Sequence, residues 1–217
     1  MTSDASAPAG PRAADAYVHL LDELIDGRLR PGDDIPITAT SRSLGVSPTP
    51  VREALARLAE SGLVHKHGAR GYRAAPLLTT EEETALLDAR AAIEPPLAEL
   101  ACRAASTALV PLLEASIADH RARIDDAPDF AHDRQASESF HRLLASHAPN
   151  AFLVRAYESL GAHVHRFRVL GSIGVSDGKH ALREHEAILA AVAAGDPTAT
   201  HEAMLAHIAA MRGRLTR

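Results

Sequence analysis

In 217 residues the chain has one cysteine, Cys102, and no tryptophan. A lone cysteine excludes an intrachain disulfide and any zinc site built on paired thiolates. Cys102 therefore reads as a small core residue. Aromatic residues amount to 3 %, too few for the stacking platforms that hold single-stranded nucleic acid. No stretch approaches the ~18–20 consecutive apolar residues of a membrane span. The opening MTSDASAPAGPR lacks the basic-then-apolar order of a secretory signal. These absences point to a cytoplasmic protein with no membrane partner. Residues 1–12, small, polar and proline-containing, read as a disordered lead-in.

Apolar residues (46 %) and charged residues (24 %) stand in the ordinary globular balance. The formal net charge of -5 speaks against a polyanionic partner only if it is evenly spread. It is not. Residues 1–76 carry nine basic and nine acidic side chains, net 0, and residues 77–217 carry 14 and 19, net -5. Within 40–75, Arg42, Arg52, Arg57, Lys66, Arg70 and Arg73 face only Glu53 and Glu60, net +4. A basic footprint exists, and it is local.

The periodicity predicts a mainly α protein. Tyr17, Leu20, Leu21, Leu24 and Ile25 form a helical stripe over 13–26. A short helix is expected near 38–44, and another over 48–61 with Val51, Ala54, Leu55 and Leu58 on one face. LVHKH and GYRAA flank the turn-like GAR at 68–70 and read as a β-hairpin. Beyond Pro76 only helical patterns follow, near 80–104, 107–125, 130–147, 151–170, 178–194 and 197–215. That predicts an all-α bundle of about six helices. Pro95-Pro96 should kink the first of these, while Asp196-Pro197 marks a capped start for the last. The expected domains are thus 13–76 and 77–217.

The stretch SLGVSPTPVREALARLAESGLV (43–64) has the parts of a helix-turn-helix. Gly45 permits the tight turn, Val46 plugs between the helices, and Ser47 stands at the N-cap with Pro48 at the first helical position. Such a helix enters the major groove N-terminus first. Ser47 and Thr49 then offer hydroxyls to phosphates or bases, and Arg52, one turn on, reaches a phosphate or a guanine edge. The hairpin, with His67, Gly68, Arg70 and Arg73, suits a wing over the adjacent minor groove. Arg42 adds to the same basic footprint. The competing reading is a helical hairpin in which Arg52 is merely salt-bridged.

Residues 13–75, above all GVSPTPVREALARLAESGLV, resemble the winged helix of the GntR family of bacterial transcriptional regulators. The resemblance implies DNA contacts at Ser47, Thr49, Arg52, His67 and Gly68. Thr40 replaces a usual leucine, Thr38 stands near a common recognition residue, and Pro48 occupies a frequent arginine position. These departures bear on the operator sequence, not on the fold.

Thirteen histidines are many for this length. His141, His185 and His207 lie in ESFHRLL, REHEAIL and MLAHIAA, each beside apolar helix positions. On converging faces three buried imidazoles need partners for every ring nitrogen, and a divalent metal ion meets that need. The alternative is that some of thirteen histidines fall on inner faces by chance. His163 and His165, with Arg166 and Arg168, line the pocket or face solvent. His120, His132, His147, His180 and His201 read as surface residues.

LLDARAAIEPPLAELA (86–101), SFHRLLASHAPN (139–150) and EHEAILAAVAAGDPTATHEAMLAHI (184–208) resemble the FCD ligand-binding domain of the FadR branch of the same family. There an aspartate four residues before the first histidine joins three histidines around a metal. His141, His185 and His207 match the three, but Ser137 stands at the aspartate position. Three arrangements follow, in order of preference. The site is three histidines with waters or effector, Glu138 supplies the carboxylate, or the metal is lost and a polar pocket remains. Zinc or nickel is the expected ion. Arg90 matches the branch's arginine and pairs either with an anionic effector or, on the helix surface, with Glu94 four residues on.

The expected protein is therefore a regulator, not an enzyme. As a homodimer it would repress a roughly palindromic double-stranded DNA operator under control of a small organic or sugar acid. The alternatives are a metal-dependent hydrolase or lyase using the three histidines, and a metal-free regulator with a polar pocket.

Overall fold

The structure, a computed structural model, describes residues 13–68, 71–126, 130–170 and 178–215. The expected lead-in 1–12, Arg70, and the side chains of His132, His165, Arg166 and Arg168 lie outside the described residues. The chain forms two compact units that divide between Pro76 and Leu77. The architecture is mainly helical, as the periodicity predicts.

In the first unit, α1 (Ala13–Ile25) packs against α3 (Pro48–Glu60), with the short α2 (Ile37–Ser43) beside α3. Leu20 and Leu24 from α1 meet Val51, Ala54, Leu55 and Leu58 from α3 in a fully buried core. The hairpin forms from β2 (Val64–Lys66) and β3 (Tyr72–Ala74). Sequence reading misses one element. A two-residue strand, β1 (Asp34–Ile35), pairs antiparallel with β3 and makes a three-stranded sheet of order β1-β3-β2. Two residues are too few to show alternation. Its pairing depends on Gly71, where φ is +140° and a Cβ would stand 2.6 Å from the Ile35 carbonyl oxygen.

In the second unit α4 (Thr80–Asp126) packs against each of α5 (Phe130–His147), α6 (Ala151–Leu170), α7 (Gly178–Ala193) and α8 (Pro197–Leu215). The helices expected at 80–104 and 107–125 are one continuous helix, which makes five described helices here rather than six. The break is expected at Ala105 and Ser106, but alanine is the best helix former and serine costs only a few tenths of a kcal/mol against it. The stripe Leu97, Ala98, Ala101, Leu109, Leu113 and Ile117 stays buried across that point and across Pro111. Caps set the helix starts. Thr79 and Glu82 exchange side-chain and backbone bonds ahead of α4. Asn150 Oδ1 accepts from Phe152 and Leu153 N–H ahead of α6. Cys102 is buried in this unit's core.

Candidate functional site

Two constellations of polar side chains carry chemistry, one in each unit. In the first unit the chain leaves α2 through Leu44, turns at Gly45 with φ +66°, and enters α3 at Ser47. Val46 is half-buried below this turn. Ser47 occupies the N-cap with extended backbone but makes no side-chain capping bond. The cause is Pro50. An N-cap hydroxyl accepts from the N–H of the second or third helical residue, and the third position here has no N–H to give. The Ser47 hydroxyl and Thr49 are exposed.

Arg42 and Arg52 are also exposed, and neither side chain enters a hydrogen bond or ion pair with the described residues. Other cations of the basic segment are committed to the fold. Arg57 stacks 4.1 Å from the Tyr17 ring, and Arg73 Nε donates to Asp34 Oδ1 at 2.8 Å. His67 and Gly68 are exposed at the end of β2. The basic footprint thus divides into structural and uncommitted cations, and Arg52 falls in the uncommitted group.

In the second unit His141 on α5, His185 on α7 and His207 on α8 converge, with one ligand atom of each within 4.8 Å of the others. All three are buried, at 4 %, 0 % and 1 % exposure. Two of them have carboxylate partners. His207 Nδ1 donates to Glu184 Oε2 at 2.7 Å, and Arg214 bonds both Glu184 oxygens at 2.6 and 3.1 Å. His141 Nδ1 lies 2.7 Å from Glu94 Oε2, and Arg90 bonds the same carboxylate at 2.5 and 3.3 Å. Two Arg–Glu–His chains therefore run into the cluster, one wholly buried and one partly open to solvent.

Burial opposes ionisation of Glu94, but Arg90 and His141 outweigh it and hold the carboxyl well below the usual carboxylate range. Burial likewise opposes Glu184, yet bonds from His207 and Arg214 push it down to about 2. Burial lowers His207 to about 3 against the opposing bond to Glu184, with His141 and Arg90 adding to the fall. An ionised carboxylate only accepts, so the proton of neutral His207 sits on Nδ1 and Nε2 carries a lone pair. That Nε2 is buried with no hydrogen-bond partner among the described residues. His141 Nε2 and His185 Nε2 stand 3.2 Å apart. His185 stacks on Phe140, with ring centroids 4.3 Å apart.

The donor set suits a divalent ion. A tetrahedral ion about 2.1 Å from each imidazole nitrogen sets the nitrogens roughly 3.4 Å apart, close to the 3.2 Å seen for one pair. Carboxylates behind two histidines are the outer partners that orient imidazole ligands and raise their basicity.

The remaining expected residues fall as follows. Ser137 is buried, one helical turn before His141. Glu138 is half-buried and does not join the ligand cluster, its Oε1 lying 3.9 Å from where a Cβ on Gly161 of α6 would stand. Arg90 is not at a helix surface. It is 1 % exposed, and besides Glu94 it meets Met211 Sδ at 3.0 Å. His120, expected at the surface, is 1 % exposed with its ring 5.9 Å from that of His185. His180 is exposed, while His147 and His201 are half-buried. Sequence reading misses the roles of Glu94, Glu184 and Arg214. A signal for Glu94 was present. Leu87, Arg90, Glu94, Leu97, Ala98 and Ala101 recur at three- and four-residue spacing, so both charges sit within an apolar stripe.

Comparison with known proteins bears on both units. Residues 12–73 match the family described as bacterial regulatory proteins, gntR family, and residues 85–210 match the FCD domain. The probable D-xylose utilization operon transcriptional repressor of Paenarthrobacter nicotinovorans is 32 % identical over 87 % of this chain and 81 % of its own length. The HTH-type transcriptional repressor RspR of Escherichia coli (strain K12) is 28 % identical over 93 % of this chain and 87 % of its own. Among solved structures, E. coli McbR/YncC shares the fold, with a TM-score of 0.82 at 17 % identity, covering 94 % of this chain and 96 % of that one.

Proposed function

The chain belongs to the GntR family of bacterial regulatory proteins, with an FCD domain behind its helix-turn-helix, and from that premise we propose a repressor whose hold on its operator is set by a small acid bound at a metal centre in the second unit. As a transcriptional regulator of this family it binds DNA through its first unit. Two copies, acting in the cytoplasm, would place α3 in successive major grooves of a roughly palindromic operator. Ser47, Thr49, Arg52, His67 and Gly68 meet the DNA, with Arg42 and Arg70 on flanking phosphates. The uncommitted state of Arg42 and Arg52 supports this reading.

His141, His185 and His207 would hold the ion, zinc or nickel. Bound there, it would supply open coordination positions for an anionic oxygen. The observation that carries this part is the buried lone pair of His207 Nε2, which no described residue satisfies. Glu94 and Glu184 hold two of the rings in the ligating tautomer. Arg90 stands behind the cluster through Glu94, so its part toward an effector is to fix that carboxylate. Glu94 and Glu184 are each engaged by an arginine and a histidine, so neither is placed as the general base that hydrolysis would need.

A direct test uses DNA selected from a random pool by the purified protein. Affinity is measured with and without zinc or nickel, and with a panel of organic and sugar acids. The expected result is an acid that weakens operator binding about 5–150-fold, the usual range of such coupling, and only in metal-loaded protein. Acids that bind the second unit and leave operator affinity unchanged would sink the coupling. Purified protein that takes up neither metal would sink the metal centre.

A further inference from the structure

Six residues of α3 are exposed, namely Pro48, Thr49, Arg52, Glu53, Arg57 and Glu60. They lie away from the buried stripe of Val51, Ala54, Leu55 and Leu58. Five of the six carry a hydroxyl or a charge. Pro48 alone offers neither a polar side-chain atom nor a backbone N–H. It stands at the first helical position, ahead of every other exposed residue of the helix. Arg52 follows four residues on, and at that spacing the two are neighbours on one helix face. The Arg52 guanidinium can fork onto a base or reach a phosphate. The ring beside it has only apolar surface to give.

The N-terminal residues of a recognition helix are the ones that meet base edges. In the major groove those edges show donors, acceptors and one apolar substituent, the C5 methyl of thymine. A proline ring set against that methyl buries apolar surface on both partners. Set against any other edge, it displaces water from a donor or acceptor and returns no bond. We infer that Pro48 is a specificity-determining residue, which selects a thymine of the operator through its C5 methyl, beside the base or phosphate held by Arg52. The selection works by exclusion as much as by attraction. It rests on α3 as the helix that enters the major groove.

The test uses the full chain and an operator selected by it from a random DNA pool. Each thymine of the selected site is replaced in turn by deoxyuridine, which removes the methyl and leaves the hydrogen-bonding edge unchanged. At one thymine for each copy of α3 on the DNA, affinity should fall roughly fourfold, the effect of one buried methyl. Pro48→Ala frees a backbone N–H that can strengthen binding to any sequence, so the quantity read is the ratio of thymine to deoxyuridine affinity. That ratio should fall toward one at the same position. Thr49→Ser removes the other methyl at the helix tip, keeps the hydroxyl, and should leave the ratio at that thymine as in the native chain. A native ratio near one at every thymine, or a selected site without thymine, overturns the selection, and does so without any variant. A ratio that survives Pro48→Ala overturns the role of Pro48. Arg52→Ala checks the reading underneath. If it leaves both operator affinity and salt dependence unchanged, α3 is not the helix in the groove, and the role of Pro48 falls with it.

Discussion

The two units treat polar side chains in opposite ways. In the first, the described residues proposed to meet DNA are exposed, and Arg42, Ser47 and Arg52 make no side-chain bonds with the rest of the described fold. In the second, Arg90, Glu94, His141, His185 and His207 are all buried and bonded to one another or to a neighbour. An uncommitted surface cation costs little to keep, and its binding energy is spent only when phosphate or base arrives. A buried charge must be satisfied within the fold, so its removal is felt first as lost stability. The comparison therefore says which variants should change folding and which should change binding alone.

The largest effect should come from Glu94→Ala. It strands a buried guanidinium and removes the outer partner of His141. Breaking a buried pair from one side typically costs about 3–5 kcal/mol, which lowers the melting temperature of a unit this size by roughly 10 °C or more. Glu184→Ala breaks the matching pair, but Arg214 and Glu184 are about a fifth exposed. Water can take up part of the loss, and about 1–2 kcal/mol is expected. Thermal unfolding in the presence of chelator checks both. Equal losses would mean that burial does not separate the two chains.

Next in size is Arg52→Ala. With no internal partner to lose, the variant should melt like the native protein. Operator affinity should fall by about 1–3 kcal/mol if the guanidinium forks onto a base, and the salt dependence should flatten if it holds a phosphate. Arg57→Ala makes the control, because its stacking on Tyr17 ties it to the fold. A melting temperature that drops for Arg52→Ala would place Arg52 with the structural cations.

How much of this was legible follows the same division. The helix-turn-helix could be read because its signals are local. Gly45, the apolar face of α3 and the paired hairpin segments lie within a few residues of one another. Strand β1 could not, since its pairing with β3 joins residues 39 apart, Asp34 to Arg73. The three histidines were legible because each sits on an apolar helix face. The environments of Arg90 and His120 were not, because a charged or polar side chain in an apolar stripe reads as a surface residue until the packing of α4 buries it. Glu184 escaped for a related reason, since its role depends on α7 meeting α8.

The smallest effects test the contrast within four residues. Helix α3 begins Ser47-Pro48-Thr49-Pro50, and α8 begins Asp196-Pro197-Thr198-Ala199. In α8 the third helical residue is an alanine, and its N–H bonds Asp196 Oδ1 at 3.0 Å. In α3 that residue is a proline and the cap is missing. Asp196→Ala should thus cost about 1 kcal/mol of stability, while Ser47→Ala should cost almost none and weaken operator binding. Pro50→Ala restores the missing N–H and invites Ser47 to cap. Its own stability change should be near zero, because the new cap offsets the lost rigidity of proline in the unfolded chain. The informative quantity is the coupling. Ser47→Ala made in the Pro50→Ala background should now cost about 0.5–1 kcal/mol, and Pro50→Ala alone should weaken operator binding, since the hydroxyl is drawn toward its own helix. If Ser47→Ala costs about as much with Pro50 in place as without it, proline is not what keeps that hydroxyl open to DNA.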